Sequence, residues 1–226
     1  MQIIPFNKLI VDNINISNVK FDENNGLYFS EVNYNLTDEI IIDLSDVGFE
    51  TDSMKLLKVY EVGCNIQMEV EFLHTSNKFY DFIRNIDSHM IDSVTKNSKR
   101  HFGFDFKHNA FDSIFDRTIK LPDTIPALPK LILEIGTGGD CLIIDKYSRN
   151  GNASIKNLKC GQEVKIIMSI DKIYFDKCCS WLKYKVGRIS IVNNFCPTLN
   201  CLLEETENYE FDSEDEIDYA ATINEF

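Results

Sequence analysis

The hydrophobic and polar positions of this chain alternate in short runs, which predicts β-strands over most of its length. Leu27–Tyr34 alternates in this way and follows Asn25-Gly26, a turn-forming pair, so residues 16–34 are expected to form a β-hairpin. Further strands, rich in Ile, Val, Phe and Tyr, are predicted at 39–44, 55–60, 64–73, 130–135, 141–146, 163–170, 172–175 and 181–192. Together these strands predict a mostly antiparallel sheet.

One segment in mid-chain has a helical pattern instead. Apolar residues recur every three or four positions between residues 76 and 97, and Ser76 is suited to cap the first turn. A shorter helix is predicted at 109–117. Many strands, one long helix and no alternation of strands with helices favour a mainly β fold, an antiparallel barrel of the oligonucleotide-binding (OB) kind with a helical cap. We expect one such domain over residues 1–203, followed by a tail.

A glycine-rich loop in the second half suggests a different class of protein. The segment Leu131–Asp140 contains an apolar strand ending in Glu-x-Gly-x-Gly, which is how the cofactor loop of S-adenosylmethionine-dependent methyltransferases begins. In such proteins a helix follows directly, with a second strand and an acidic ribose ligand about 20 residues later. Here a strand-like run follows Asp140. We therefore interpret residues 136–139 as a hairpin turn between two strands and keep the methyltransferase as a remote alternative.

The charge of the chain is distributed unevenly. The 226 residues carry a formal net charge of −13, but residues 141–192 contain 10 basic and 4 acidic side chains. Residues 193–226 contain 10 acidic side chains and no Lys or Arg, and the first 74 residues are also acidic. A basic block followed directly by an acidic tail is the strongest functional signal in the composition.

Several classes of protein are not supported by the sequence. No stretch approaches the roughly 18 to 20 apolar residues of a membrane-spanning helix, and Met1–Leu9 lacks the apolar block of a signal peptide, so we expect a soluble, intracellular protein. The seven cysteines have no paired spacing and are interpreted as reduced thiols, with no metal site. The four histidines have no nucleophile or metal spacing around them. We expect no catalytic residues, no cofactor and no enzyme activity.

The acidic tail, residues 204–226, has too little apolar area to pack alone and is expected to be disordered. Its aromatic residues exceed what solubility requires, which favours a tail that docks onto a partner or masks a site on its own chain. The alternative is a plain solubilising segment. The candidate docking residues are Tyr209, Phe211, Asp215, Glu216, Asp218, Tyr219 and Phe226.

The basic block mixes cations with aromatic residues, a combination typical of proteins that hold single-stranded nucleic acid. Cations neutralise phosphates and release counterions, while aromatic faces stack on unpaired bases without reading the sequence. On a strand, Trp181, Lys183 and Lys185 share one face and Tyr184 lies on the other. The alternative is that the rings belong to the core and the lysines to a solvated rim. The candidate phosphate contacts are Lys146, Arg149, Lys172, Lys177, Lys183, Lys185 and Arg188, the candidate stacking platforms are Trp181 and Tyr184, and Tyr174 and Phe175 are lesser candidates.

Short motifs resemble replicative single-stranded-DNA-binding proteins of certain bacteriophages and of nucleocytoplasmic large DNA viruses. The resemblance covers about residues 60–226. It implies one OB barrel, non-catalytic coating of single strands in viral DNA replication, recombination or repair, and docking of replication proteins onto the tail through Phe226. The motifs are Phe82–Asp87 with Lys96–Phe102, Ile173–Phe175 with Ser180–Lys183, and the acidic run Asp212–Asp218 leading to Asn224–Phe226.

The partner expected from the residues and the resemblance is single-stranded DNA, with RNA and a homo-oligomer left open and no membrane involved. The resemblance places the protein in the cytoplasm, a viral factory or the nucleus of a host cell. An alternative of another class is a structural or virion component that binds protein through its β-rich domain and uses the acidic tail for assembly.

Overall fold

The computed structural model describes residues 2–37, 39–63, 65–73, 78–122, 127–136, 141–145 and 151–193, all within one compact unit, Met1–Cys196. The helices are α1 (Lys78–Lys96), α2 (Ser98–Phe102) and α3 (His108–Ile114). The strands are β1 (Gln2–Ile3), β2 (Ile14–Ile16), β3 (Lys20–Asp22), β4 (Leu27–Asn35), β5 (Ile41–Asp43), β6 (Val47–Glu50), β7 (Met54–Val62), β8 (Asn65–Phe72), β9 (Phe115–Asp116), β10 (Ile119–Lys120), β11 (Lys130–Ile135), β12 (Leu142–Asp145), β13 (Asn152–Ala153), β14 (Glu163–Phe175) and β15 (Ser180–Asn193). The predicted tail, residues 204–226, lies outside the described residues.

The strands form a mainly β structure in which most neighbouring strands are antiparallel, as predicted. The hydrogen-bonded order is β10-β11-β8-β7-β14-β15-β12-β13, and β4 and β6 pair with β14 beside this path. Among the described strands, the parallel pairs are β1 with β6, β9 with β15 and β12 with β15. Over the described strands this order does not return to its starting strand. The mainly β class is confirmed, but the closed barrel is not.

The predicted hairpin at residues 16–34 is confirmed by β3 and β4, which pair with Asp22 opposite Leu27. Gly26 has φ +67°, a backbone conformation that glycine adopts without strain, and it completes the turn. Within the turn, Asn25 Nδ2 and Asn24 N donate to the Asp22 carboxylate at 2.6 and 3.1 Å. The hydrogen bond from Asn25 is the main reason that the pKa of Asp22 lies below its usual value. This turn borders two aromatic surfaces of the molecule.

The two longest strands, β14 and β15, carry the basic block. They pair with Trp181 opposite Tyr174 and Lys183 opposite Lys172. The predicted strands at 163–170 and 172–175 are one continuous strand, because a register shift between Ile170 and Lys172 accommodates the extra residue without ending the ladder. Buried and more exposed residues of β15 alternate from Ser180 to Val186, so the predicted two-residue period is confirmed there, and the alternation shifts by one residue at Gly187 and Arg188.

The long mid-chain helix is confirmed as α1, and its predicted start at Ser76 lies outside the described residues. Its apolar stripe is buried; Phe79, for example, has its ring centroid 6.2 Å from Phe49 and 6.3 Å from Phe72 on the sheet. The second predicted helix is observed as α3, which ends at Ile114 rather than 117. It ends early because Phe115 and Asp116 form β9 and pair with β15.

The predicted hairpin turn at residues 136–139 is wrong. β11 precedes this loop and β12 follows it, but β11 pairs with β8 and β10, whereas β12 pairs with β13 and β15. The two strands therefore do not form a hairpin with each other, and residues 137–140 between them lie outside the described residues. Of the residues described after Gly136, the first form strand β12, whereas a methyltransferase cofactor loop is followed by a helix.

Among the described cysteines, one differs from the predicted reduced thiols. Cys160 is disulfide-bonded, whereas Cys141, Cys178 and Cys179 are free thiols. Burial raises the pKa of the Cys141 thiol to about 11, so it is protonated and unreactive at neutral pH. The described residues contain no cluster of His, Cys, Asp or Glu that could hold a metal ion. Within the described ranges, no helix is both long and apolar enough to cross a membrane.

Candidate nucleic-acid interface

Three aromatic side chains from three adjacent strands form a row across the sheet. Phe29 in β4 lies opposite Tyr174 in β14, which in turn lies opposite Trp181 in β15. Directly opposed residues of antiparallel strands point to the same face of the sheet. The ring centroids are 6.2 Å apart for Phe29 and Tyr174 and 5.6 Å apart for Tyr174 and Trp181. We call Phe29, Tyr174 and Trp181 the ring row.

The ring row is anchored at its centre and accessible at its ends. Tyr174 is only 9% exposed, whereas Phe29 and Trp181 are half-buried. The planes of Tyr174 and Trp181 lie 16° apart, so the tyrosine stacks on the indole and restricts its rotation. An indole held in this way loses little conformational freedom when it stacks on a ligand, which makes Trp181 suited to bind flat aromatic groups.

Lysines lie beside the ring row on the same face. Lys172 Nζ lies 4.4 Å from the centroid of the Phe29 ring, and Lys172 is itself opposite Lys183 on β15. Lys185, two residues further along β15, is exposed. Lys20 extends the row on its other side, because it lies opposite Phe29 in the β3–β4 hairpin. The sheet therefore places aromatic faces and ammonium groups side by side.

A groove of about 600 Å³ runs along this surface, a volume within the range of pockets that hold small ligands. Tyr174, Trp181 and Lys183 contribute to it from β14 and β15. Leu182 and Tyr184 of β15 also border it. The other residues that line it come from the β3–β4 hairpin, β8, the β9–β10 region and β11: Asn25, Leu27, Gln67, Asp116, Arg117, Thr118, Lys120, Ile132, Leu133 and Glu134.

The cations that line the groove, and Lys20 beside the ring row, have acidic partners. Lys183 Nζ lies 3.2 Å from Glu134 Oε1, and Lys20 Nζ lies 2.7 Å from Glu31 Oε1. Arg117 is paired with Asp112 and Lys120 with Asp116. All of these pairs are partly exposed, and exposed ion pairs contribute about 0–1 kcal/mol each. Phosphate oxygens are able to replace the carboxylates at such a low cost.

A buried carboxylate holds one wall of the groove in place. Asp87 in α1 is 1% exposed and accepts hydrogen bonds from Thr118 N at 2.9 Å and Thr118 Oγ1 at 2.7 Å. Burial raises the pKa of Asp87 to about 6, although the hydrogen bonds from Thr118 oppose the shift. Because Thr118 follows Arg117 directly, this contact fixes the segment that brings Arg117 to the groove.

The structure brings together Lys172, Tyr174, Trp181 and Lys183 among the residues proposed from the sequence, and Lys185 lies on the same face. Tyr184 was proposed as a stacking platform, but it is 6% exposed and belongs to the core. Its hydroxyl lies 3.5 Å from Thr118 Oγ1, on the side of the strand that the two-residue period turns inward, and burial raises the pKa of Tyr184.

Among the remaining proposed residues, those that the structure describes do not meet at the groove. Phe175 is 5% exposed and packs on Phe102, because it points away from its neighbour Tyr174. Lys177 lies in the β14–β15 turn, and Arg188 is paired with Glu50 at 3.4 Å on another part of the sheet. Lys146, Arg149 and the tail residues Tyr209, Phe211, Asp215, Glu216, Asp218, Tyr219 and Phe226 lie outside the described residues.

Four residues of this surface were not predicted from the sequence to belong to a binding site. Phe29 and Lys20 belong to the acidic first third of the chain, and Arg117 and Lys120 to a segment without net charge. The predicted hairpin at 16–34 signals that Phe29 and Lys20 lie on one face of a strand pair. Nothing local in the sequence indicates that β4 pairs with β14, which is what places them beside the basic block.

Comparisons with known proteins give distant structural likenesses only. No family model matches the chain, and no curated protein sequence matches it. The structure is similar to the single-stranded DNA-binding protein from bacteriophage Enc34 in complex with ssDNA, with 11% identity, a TM-score of 0.40, and coverage of 66% of this chain and 87% of that one. A second structure of the single-stranded DNA-binding protein from bacteriophage Enc34 gives 10% identity, a TM-score of 0.42, and coverage of 81% of this chain and 92% of that one.

A second phage protein has a similar degree of likeness. Gp2.5, a single-stranded DNA-binding protein encoded by bacteriophage T7, gives 8% identity, a TM-score of 0.45, and coverage of 66% of this chain and 93% of that one. Likenesses with TM-scores below 0.5 carry no weight for function. The function therefore has to be argued from the residues of this chain.

Proposed function

We propose that this protein is a non-catalytic single-stranded-DNA-binding protein that acts in viral DNA replication, recombination or repair. The observation that carries the proposal is the ring row with Lys172 and Lys183 beside it on one face of β14 and β15. Aromatic faces stack on unpaired bases, and ammonium groups neutralise the phosphates between them. Neither contact reads the base sequence, so the surface suits general coating of single strands.

The acidic content of the surface is compatible with this role. Glu134 and Glu31 hold Lys183 and Lys20 in the absence of nucleic acid, and a phosphate that displaces the carboxylate takes over a cation already directed to the groove. Because the phosphate replaces a carboxylate that already binds the lysine, each contact contributes less binding free energy than a contact with an unpaired lysine would. We therefore expect moderate affinity and a strong dependence on salt concentration.

A direct test uses the fluorescence of Trp181, which is the one tryptophan of the chain. Titration with oligo(dT) should quench this fluorescence, and the affinity should fall as salt concentration rises. In the variant Lys172→Ala/Lys183→Ala, the slope of log K against log salt should become shallower by up to about 0.7 for each phosphate that is no longer neutralised. Lack of quenching at low salt in the unaltered protein would refute the function.

The matched control is Lys156→Ala/Lys159→Ala, which removes two exposed lysines of the same basic block that do not line the groove. It lowers the net charge equally. If both double variants weaken binding to the same extent, the effect comes from overall charge and the ring-row surface is not the interface.

The proposal includes a role for the acidic tail, residues 204–226. An anionic segment with aromatic residues resembles a nucleic-acid strand in both charge and rings, so it is suited to occupy the groove until DNA displaces it. When displaced, it is free to dock replication proteins through residues such as Phe226. Deletion of residues 204–226 should tighten binding of oligo(dT), and it should alter the salt dependence less than removal of groove lysines does. An unchanged affinity after the deletion would exclude masking by the tail.

A further inference from the structure

A second aromatic surface lies on the face of β14 opposite to the ring row. Phe102 is the last residue of α2, and Phe104 and Phe106 lie in the segment that joins α2 to α3. Their ring centroids are 6.4 Å apart for Phe102 and Phe104, 4.7 Å for Phe104 and Phe106, and 5.4 Å for Phe102 and Phe106. Phe175, whose ring lies 5.1 Å from Phe102, forms the base of this cluster.

The backbone explains how alternate phenylalanines of one short segment meet. Gly103 ends α2 with φ +79°, and its N–H donates to the carbonyl of Lys99 at 3.0 Å. A residue with a side chain is strained in this conformation. The reversal at Gly103 turns the chain so that Phe102 and Phe104 face the same space.

These side chains line a pocket of about 390 Å³, which we call the phenylalanine pocket. Tyr28 and Lys177 complete its mouth. Phe104 is 55% exposed and Tyr28 is 54% exposed, and the ring of Phe21, 52% exposed, lies 5.0 Å from that of Tyr28. Large aromatic residues exposed together mark an interaction site, because an isolated folded domain gains nothing by leaving them in water.

The residues around the phenylalanine pocket are basic. Lys99 and Arg100 lie in α2, Lys107 follows Phe106, and Lys177 lines the mouth; all four are exposed. None of the four forms an ion pair within the part of the chain that the structure describes. Asp176 also lines the pocket, and Asp105 lies between Phe104 and Phe106, so these four cations outnumber the neighbouring carboxylates. The surface is therefore complementary to an anionic ligand that carries flat rings.

The β3–β4 turn connects this pocket with the groove. Asn25 and Leu27 line the groove, whereas the alternate residues Gly26 and Tyr28 line the phenylalanine pocket. The two sites thus lie on either side of one narrow turn. A flexible strand bound at the ring row needs to cross only this turn to reach the pocket.

We propose that the phenylalanine pocket binds a second base of the same single strand, after the strand has passed over the β3–β4 turn. The base stacks on the exposed rings of Phe104 and Tyr28, and the flanking phosphates contact Lys177 and the cations of α2. Stacking tolerates any base, in keeping with coating of single strands. The inference rests on the proposed function, because it extends the path of the strand that the ring row holds.

The test compares short and long oligo(dT) of about 4 and about 16 nucleotides, the range of site sizes for one OB domain. Binding of 5′-labelled oligonucleotides to the full chain is followed by fluorescence anisotropy. Phe104→Ala should leave the short oligonucleotide unaffected and weaken the long one on the order of tenfold, which is within the range of losses for one stacked base. Phe104→Tyr, which keeps the ring, should bind both oligonucleotides as the unaltered protein does.

Ile41→Ala is the control, because it truncates an apolar residue of similar exposure (63%) on β5. It should alter neither affinity. Trp181→Ala should weaken both lengths of oligonucleotide. A thermal unfolding midpoint for Phe104→Ala close to that of the unaltered protein shows that the fold is retained.

The outcomes separate this inference from the proposed function. If the unaltered protein binds neither oligonucleotide, the function itself fails. If it binds both and Phe104→Ala binds the long one with unchanged affinity, the function stands and the phenylalanine pocket is not a base site. If Phe104→Ala instead loses only the binding of a labelled peptide of residues 209–226, the pocket is a peptide site and the inference is overturned.

Discussion

The ring row and the phenylalanine pocket lie on opposite faces of the same strand, yet they hold their cations differently. At the ring row, Lys183 is paired with Glu134 and Lys20 with Glu31, whereas Lys172 lies over the Phe29 ring. At the pocket, Lys99 and Arg100 have no ionic partner among the described residues. The ring row is thus the more preorganised surface, and the pocket is the one with more charge free to attract a strand.

The largest predicted difference between the two faces is in how much their aromatic residues contribute to the free energy of unfolding. Phe175 is 5% exposed and contacts Phe102 and Phe111, so Phe175→Ala should lower the free energy of unfolding by about 3–5 kcal/mol. Trp181→Ala removes a larger ring, but a half-buried one, and should cost less than half as much. Urea denaturation followed by circular dichroism measures both. Equal losses would mean that Trp181 is a core residue, and the difference between the faces would disappear.

Alternation along β15 was predictable, but the inward face was not. A strand has a period of two whatever its surroundings, so the sequence correctly separates Trp181 and Lys183 from Leu182 and Tyr184. Both Trp181 and Tyr184 were nevertheless proposed as stacking platforms, although they point to opposite sides. The burial of Tyr184 depends on its packing beside Thr118, which is distant in sequence. The local pattern thus defines the two faces of the strand, and only tertiary contacts determine which face is exposed to solvent.

Pairing between distant strands was the second limit of the sequence. The Asn25-Gly26 hairpin was predictable because a turn-forming pair joins its strands directly. The loop at residues 136–139 has the same appearance, but β11 and β12 pair with other strands. Turn-forming residues indicate where a chain reverses, but they do not indicate which other strands compete for pairing with the strands on either side of the turn. For the same reason, Phe29 and the partners of the groove cations were found only in the structure.

The contact of Asp87 with Thr118 joins the helical side of the molecule to the groove, and its effect on stability should depend on pH. The pKa of Asp87 is raised from 3.8 to about 6, so the folded protein holds this proton more tightly than the unfolded chain. The free energy of unfolding should therefore decrease as pH rises from about 3.8 to about 6, by about 3 kcal/mol. Asp87→Asn does not ionise. Between about pH 4 and pH 7.5, its free energy of unfolding should therefore increase by about 3 kcal/mol relative to that of the unaltered protein.

Urea unfolding of both proteins at the two pH values measures the difference, and the titration of other carboxylates cancels in the comparison. Asp81→Asn is the control, because Asp81 is an exposed residue in the first turn of the same helix. It should change stability by less than about 1 kcal/mol at either pH. A difference between Asp87→Asn and the unaltered protein that does not vary with pH would show that Asp87 has the same pKa in the folded and the unfolded chain, so that burial does not raise it.

The smallest predicted effect concerns the carboxylates that hold the ring-row cations. Glu134→Gln removes the partner of Lys183 and should tighten oligo(dT) binding by up to about 1 kcal/mol, because phosphate no longer has to displace a carboxylate. In a Lys183→Ala background the same substitution should give no gain. Glu50→Gln, which removes the partner of Arg188 away from the groove, is the matched control for net charge. Equal gains from Glu134→Gln and Glu50→Gln would assign the effect to overall charge, and the ring-row cations would then be no more restrained than those of the phenylalanine pocket.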